Sequence, residues 1–277
     1  MEKFIIKTKE NKETKEIIKN ISNDRFDVEN KIFHVGKKQY RRGATRLLRT
    51  HFYSNYKAPV KQRAKRGSSK ALGDYFHRQV YHHFTCLSTG ETKCSCKLQF
   101  GKPTRAVKKG SLSYKRIQSL KRTLNKLRIE IISCEVPVAW PKVKAATCLD
   151  ALARGKSNPN EFYVLEFKTG YAGSIRKRAS TQNAYFDKKT MTGIIGKEIP
   201  NSPFNQHQLQ LFFGMQCFKN SHNKSNVKDG FLMYFDGQGK CKTERFSKWA
   251  YSTPEYIKKI ENQIKTSFII PKKKEIK

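Results

Sequence analysis

The chain has 277 residues, and its 58 Lys and Arg against 22 Asp and Glu give a formal net charge of +36 at pH 7. This length suffices for one substantial core, but so much like charge destabilises a compact state unless a polyanion shares it, and nucleic acid is the first candidate. A membrane is disfavoured, because no apolar run is long enough for a bilayer and no basic helix has a broad apolar face.

The first 66 residues are rich in Lys and Arg and have weak hydrophobic periodicity. We predict a basic N-terminal arm or subdomain over residues 1–66, a globular domain over residues 67–270 and a basic C-terminal tail over residues 271–277. The runs KQRAKR, at 61–66, and PKKKEIK, in the tail, fit nuclear-import signals or basic arms on DNA. The chain start has too short an apolar segment for a secretory signal and too many acids for a typical organellar presequence.

Two amphipathic helices are predicted early in the globular domain. Residues 69–85 follow a serine N-cap and carry apolar side chains at helical spacing. The stretch 110–130 repeats this pattern with Ile117, Leu120 and Leu124. Both helices are expected to pack on a core, whereas the connection at 86–112 has no interpretable pattern.

Cysteine usage indicates a reducing, intracellular compartment, with nuclear, mitochondrial and phage origins left open. The seven cysteines are an odd number scattered along the chain, which argues against a disulfide framework. Cys86, Cys94 and Cys96 form the only local cluster, and with His82 and His83 they could hold zinc. Because no second pair at C-x-x-C spacing follows, a loop of free thiols is favoured.

Three strands are predicted next, at residues 131–140, 145–153 and 161–170, separated by turn-prone segments. A helix opens with Ser202 as N-cap and Pro203 at its first position. A further strand at 230–236 and a helix from Pro254 to Ile264 complete the pattern.

The third predicted strand carries charge on one face. Side chains alternate along a strand, so Glu166 and Lys168 project to one side and Leu165 and Phe167 to the other. An edge strand with a solvated face would explain this. The alternative is a strand that presents a carboxylate beside a catalytic cation, and Asp150 on the preceding strand favours it because a short turn makes the two strands antiparallel neighbours.

Five short motifs extend this arrangement and occur in a fixed order between residues 69 and 219. They are GDYFH (73–77), EVPV (135–138), LDALA (149–153), LEFKTG (165–170) and QLQLF (208–212). Together they resemble the PD-(D/E)XK nuclease superfamily, in its RecB-type, lambda exonuclease-like branch. The resemblance implies an α/β fold with a restriction-endonuclease-like core, in which helices flank a central mixed β-sheet.

The resemblance also implies a metal centre. Asp150 and Glu166 would be its oxygen ligands and His77 an imidazole ligand, for one or two Mg²⁺ or Mn²⁺ ions. A single histidine on a mostly apolar helix is otherwise more often a hydrogen-bonded core residue. Lys168 would act with Asp150 and Glu166 in catalysis, by orienting or deprotonating water and stabilising developing charge.

Other positions match the family pattern less closely. Gln208 would hold Lys168 or the DNA backbone, although Phe212 stands where relatives usually have tyrosine, and Glu135 would support the same network. Thr147 stands where many relatives have glycine, which affects local backbone shape only. The segment after the lysine is predicted to contact DNA through four residues: Tyr171, Arg176, Lys177 and Arg178.

The implied activity is that of a metal-dependent deoxyribonuclease, in particular an exonuclease that processes single- or double-stranded DNA ends in replication, repair or recombination. Two alternatives stay open: a nucleic-acid-binding module with a non-catalytic nuclease fold, and an RNA-directed nuclease. A homo-oligomer is compatible with the sequence. No Walker-type phosphate loop occurs, so an ATP motor within the chain is not expected.

Overall fold

The secondary structure alternates between helices and strands along most of the chain. The computed structural model describes residues 9–52, 69–86, 100, 107–169, 202–223, 225–246 and 253–266. The elements in chain order are α1 (Lys12–Ile21), β1 (Arg25–Asp27), β2 (Ile32–Val35), β3 (Lys38–Tyr40), α2 (Ala44–His51), α3 (Ser69–Tyr81), α4 (Leu112–Leu127), β4 (Ile129–Trp140), β5 (Ala145–Gly155), β6 (Glu161–Thr169), α5 (Pro203–Ser221), β7 (Asn226–Phe235), β8 (Cys241–Arg245) and α6 (Pro254–Thr266). A π-helical turn (His82–Cys86) follows α3, and a 3₁₀ turn (Pro141–Val143) follows β4.

A five-stranded mixed sheet in the order β4-β5-β6-β7-β8 forms the centre of the fold. Strands β4, β5 and β6 are successive antiparallel neighbours. Strand β7 pairs parallel to β6, and β8 then pairs antiparallel to β7. Parallel neighbours need a crossover connection, and α5 lies between β6 and β7 in the chain. The predicted α/β class with a mixed sheet flanked by helices is confirmed.

Each face of the sheet has its own hydrophobic core. Phe162 and Val164 of β6 pack with side chains of α1, α2, α5 and α6 on one face. Leu165 and Phe167 pack with α3 and α4 on the other face. This alternation is the period of two expected for a strand buried on both sides, and it fixes which helices can reach each polar side chain of β6.

Residues 9–52 contribute to the main core as well as carrying positive charge. Ile17 and Ile21 of α1 and Leu47 and Leu48 of α2 are buried in the core that contains α5. The small antiparallel sheet β1-β2-β3 packs Phe33 and other apolar side chains against the ends of β4 and β5. The segment expected as a basic arm or subdomain therefore packs directly on the sheet along its described part.

Serine caps the start of two helices, and one of these caps, Ser202, was predicted from the sequence. Ser111 accepts a hydrogen bond from the backbone N–H of Tyr114 at the start of α4. Ser202 does the same for Asn205 at the start of α5, where Pro203 is the first helical residue. Within the part of the chain that the structure describes, we find no helix with both the length and the apolarity to cross a membrane.

Candidate active site

Three side chains with metal-binding atoms meet where α3 crosses β4 and β5. His77, Glu135 and Asp150 each offer one ligand atom, and these atoms all lie within 4.8 Å of one another. Nδ1 of His77 lies 3.0 Å from Oε1 of Glu135 and 3.5 Å from Oδ1 of Asp150. The three side chains are only 12–22% exposed. One imidazole and two carboxylates form a donor set that could hold a divalent metal ion.

The β4–β5 ladder is interrupted at this group. Pairing on β4 passes from Cys134 to Val136 and skips Glu135, and on β5 it skips Asp150. The backbone of Glu135 has φ +52°, in the left-handed region that residues other than glycine seldom adopt. Such a conformation costs on the order of 1–2 kcal/mol, and strain of this kind concentrates at functional sites. Here it accompanies the contact between Glu135 and His77.

The β5–β6 ladder also ends beside the group. Its last pair on this side is Ala151 with Leu165. Beyond it, Oδ2 of Asp150 accepts a 2.6 Å hydrogen bond from the backbone N–H of Phe167. A side-chain carboxylate thus takes a donor that a backbone carbonyl would otherwise take. With Oδ2 bound to β6 and Oδ1 close to His77, the orientation of Asp150 is fixed from both sides.

Glu166 and Lys168 lie on the α5 side of β6. They continue the row of Phe162 and Val164, whose side chains enter the core on that face. Nζ of Lys168 donates to Oε1 of Glu166 over 2.5 Å, and the two side chains are 20% and 18% exposed. The charged face predicted from the alternation therefore points toward a partly enclosed space and away from open solvent.

These charged groups line a small open cavity of about 170 Å³. Gly214 of α5 also lines it, and a Cβ atom at this position would lie 3.0 Å from Cδ2 of Leu149. The absence of a side chain therefore lets α5 approach β5 closely beside the cavity. The remaining lining comes from the sheet, from α5 and from α2: Thr147, Cys148, Leu149, Asp150, Glu166, Lys168, Gln210, Ala44, Thr45 and Leu48.

Burial and mutual repulsion shape the charges of the group. Burial raises the pKa of Asp150, and burial together with the charge of Asp150 raises the pKa of Glu166. Burial opposes a charge on His77, but the carboxylates of Asp150 and Glu135 outweigh it and raise its pKa to about 9. The imidazole proton lies among Nδ1 of His77 and the carboxylate oxygens of Glu135 and Asp150, which are the atoms that a metal cation would contact.

A histidine and a tyrosine that contact each other lie near Lys168. Nδ1 of His207 lies 3.0 Å from the hydroxyl of Tyr234, which pairs with Lys168 across the β6–β7 ladder. Burial, followed by the charge of Lys168, holds the pKa of His207 well below its usual range. Sequence motifs gave no indication of this pair, because Tyr234 comes from a distant strand and His207 is one of several polar residues on α5.

The structure distributes the other predicted site residues as follows. Gln208 is fully buried, and its Nε2 donates to the backbone carbonyl of Arg245 over 3.4 Å. Gln210, which the spacing argument did not select, lines the cavity with Lys168. Glu135, predicted only as support, is a member of the three-residue group, whereas Glu166 lines the cavity beside Asp150. The assigned role of Gln208 stays a prediction.

Some predictions lie outside the described residues. They concern the basic run at 61–66, the C-terminal tail at 271–277, two members of the cysteine cluster, Cys94 and Cys96, and the four proposed DNA contacts, Tyr171, Arg176, Lys177 and Arg178.

Two comparisons with known proteins gave no match. No protein-family model matches the chain, and no curated protein matches it. The interpretation of the site consequently depends on its own geometry and chemistry.

Proposed function

We propose that the protein is a divalent-metal-dependent nuclease that hydrolyses DNA phosphodiesters, and that it acts as an exonuclease on DNA ends in replication, repair or recombination. One observation carries the proposal: the ligand atoms of His77, Glu135 and Asp150 lie within 4.8 Å of one another, and Asp150 shares a cavity with the Glu166–Lys168 pair. The resemblance to PD-(D/E)XK nucleases supplies the choice of DNA and of end processing.

The charge of the group supports binding of a divalent ion. Glu135, Asp150 and Glu166 carry three negative charges when ionised, and Lys168 offsets one of them. An ion bound at His77 requires the imidazole to lose its proton, and with a neutral His77 the remainder is two, which one divalent cation balances. Partly buried carboxylates are costly without such compensation, so Mg²⁺ or Mn²⁺ fits the residues present.

The ligand set would be His77, Glu135 and Asp150, with Glu166 beside them. When bound, the ion supplies an activated water near neutral pH and neutralises charge on the phosphate. Asp150 is held for this task by the N–H of Phe167, and Glu135 by its contact with His77. Fixed ligands of this kind lose little freedom when an ion binds.

Lys168 would act on the phosphate and the water. Its Nζ is held at Oε1 of Glu166, so the ammonium group faces the cavity that contains Asp150. From that position it orients a water, or donates a hydrogen bond to the phosphate oxygen where negative charge develops. The surrounding helices limit the access of bulk water, which strengthens these interactions.

The test separates binding from cleavage with Asp150→Ala. Dispersed Lys and Arg contacts dominate DNA affinity, so the variant should stay folded and bind DNA in chelator with the wild-type salt dependence. Its Mn²⁺ affinity should fall, and product formation should drop by several orders of magnitude. Glu130→Ala is the matched control, because it removes a half-exposed carboxylate of β4 that pairs with Arg154 away from the cavity.

The substrates are end-labelled single- and double-stranded DNA and RNA, each with Mg²⁺, Mn²⁺ or chelator. Wild-type protein that is inert on all of them overturns the proposal, as does an Asp150→Ala protein that cuts at near the wild-type rate. Cleavage of RNA alone would replace DNA as the substrate.

A further inference from the structure

One wall of the cavity belongs to a helix that no sequence motif indicated. Ala44, Thr45 and Leu48 of α2 line the space that contains Asp150 and Lys168. Leu48 and Leu47 anchor this helix in the core on the α5 side of the sheet. The position of α2 relative to the catalytic groups is thereby fixed by packing.

The outward face of α2 carries cations beginning at the cavity rim. With 3.6 residues per turn, successive residues are about 100° apart around the axis. On this spacing Leu48, Thr45, Arg49 and Arg46 follow one another from the cavity toward solvent. Thr45, Arg46 and Arg49 are exposed, in contrast to the buried leucine. The two arginines therefore continue the wall of the cavity as a positively charged surface.

These arginines have no carboxylate partner among the described residues, because none of the ion pairs found there includes Arg46 or Arg49. The sequence offers none nearby either, since residues 31–73 contain no Asp or Glu. Arg42, which precedes α2, is close enough to interact with Arg46. Burial, together with the charge of Arg46, lowers the pKa of Arg42. Like charges gathered at one rim call for an anionic partner.

The start of α2 adds to the positive field. Its N-cap is Gly43, which makes no side-chain hydrogen bond to the free N–H groups of the first turn. The first turn includes Ala44 and Thr45, which line the cavity. Free N–H groups and the helix dipole favour negative charge at such an end.

We propose that the face of α2 formed by Thr45, Arg46 and Arg49 holds the phosphate backbone of the nucleic-acid substrate as it enters the cavity at Asp150 and Lys168. This inference rests on the proposed function. It adds a substrate-binding surface formed by the N-terminal part of the chain, along the wall of the cavity that α2 provides. Contacts of this type position a strand without reading its sequence.

The experiment compares two double variants. The test variant is Arg46→Gln/Arg49→Gln on α2, and the control is Arg122→Gln/Lys126→Gln on α4. The control removes two exposed cations from α4, which packs on the other face of the sheet. Affinity for a fluorescently labelled oligonucleotide is measured in chelator across a salt titration, for both single-stranded and duplex forms. Circular dichroism and thermal unfolding verify that each variant is folded.

Loss of two phosphate contacts should weaken binding by roughly tenfold at moderate salt and reduce the slope of log affinity against log salt by about 1.4 to 1.8. The control should change the slope by less than half as much. In cleavage assays the α2 variant should raise KM and leave kcat within about twofold, because the arginines bind the strand and do not act on the reacting phosphate.

If the wild type binds and cuts DNA and the α2 variant keeps the wild-type affinity and salt slope, the proposed role of the α2 face is wrong. The proposed function is then unaffected. An equal loss from the α4 control also overturns the role of the α2 face, since charge anywhere on the chain would then suffice. Wild-type protein that neither binds nor cuts nucleic acid removes the proposed function together with the surface.

Discussion

The two ladders that flank β6 differ in continuity. Between β6 and β7, pairing extends along the whole of β6, from Glu161 with Asn226 to Thr169 with Phe235, with one bulge at Lys228 of β7. On the β5 side it stops at Leu165, and the β4–β5 ladder skips Asp150. The β6–β7 ladder thus remains paired past Glu166 and Lys168, whereas pairing on the β5 side is lost where Asp150 lies. We expect the paired apolar part of β6 to contribute mainly to stability and the proposed catalytic residues mainly to cleavage, so substitutions in the two regions should have different effects.

The largest expected effect comes from the paired region. Phe162 is buried and its ring lies 5.4 Å from that of Phe218 of α5. Phe162→Ala should lower the free energy of unfolding by about 3–5 kcal/mol, because it removes a large buried side chain and leaves a cavity. Denaturant unfolding measures this, with Phe162→Leu as the milder control. A loss below about 1 kcal/mol would mean that this ladder is not the stabilising region.

Lys168→Ala should do the reverse, with little effect on stability and a large one on rate. Cleavage should fall by about a hundred- to a thousandfold, which corresponds to roughly 3–4 kcal/mol in the activation barrier. Mn²⁺ affinity should be retained, because the lysine is not a ligand. Single-turnover cleavage and metal titration test both points. Lys228→Ala is the control, because it removes an exposed lysine that pairs with Glu161. An equal loss of metal affinity contradicts the role given to Lys168.

His222 tests whether a residue outside the cavity makes the stability of the fold decrease at low pH. It lies at the end of α5, and burial lowers its pKa from 6.5 to about 4. The unfolded chain therefore binds a proton that the folded state does not, and stability is fully present above pH 6.5 and lost as the pH falls through 4. The loss should be on the order of 2–3 kcal/mol.

Unfolding free energies measured across this pH range should show a shallower slope in His222→Gln than in the wild type. His34→Gln is the control, because His34 is a half-buried residue on β2. A variant that keeps the wild-type slope would assign the acid sensitivity to other groups.

The smallest expected effect concerns the strained residue of the interrupted ladder. Glycine tolerates the φ of +52° found at Glu135, and alanine does not. Glu135→Gly should therefore be more stable than Glu135→Ala by about 1 kcal/mol. Both variants should lose Mn²⁺ affinity equally. Thermal unfolding and metal titration provide the comparison, and equal stability of the two variants would show that the backbone at Glu135 is not strained.

Much of the sheet could be predicted, because its strands alternate clearly and its turns are short. The predicted strands at 145–153 and 161–170 correspond to Ala145–Gly155 and Glu161–Thr169. The same alternation placed Glu166 and Lys168 on one face. The α5 helix was predicted to begin at Pro203, as it does in the structure, since a serine cap and a proline mark its start.

Other features have no local signal in the sequence. Strands β1 and β3 are three residues each, too short for a visible period. The left-handed backbone at Glu135 depends on the pairing of β4 with β5, so the residue could be proposed only as support. Choosing between Gln208 and Gln210 requires the rotation of α5 against the sheet, which tertiary packing sets.

The parallel pairing of β6 with β7 bears on the order in which the chain folds. Strands β4, β5 and β6 form a meander of sequence neighbours, whereas residues 170–225 separate β6 from β7. Non-local pairing requires a costly loop closure and is slow to form. We therefore expect Asp150 and Glu166 to come together in a nascent meander while water still surrounds them and weakens their repulsion. Docking of α5 and β7 then removes that water, so the electrostatic cost of building the cavity arises at a late folding step, when most of the apolar surface is already being buried.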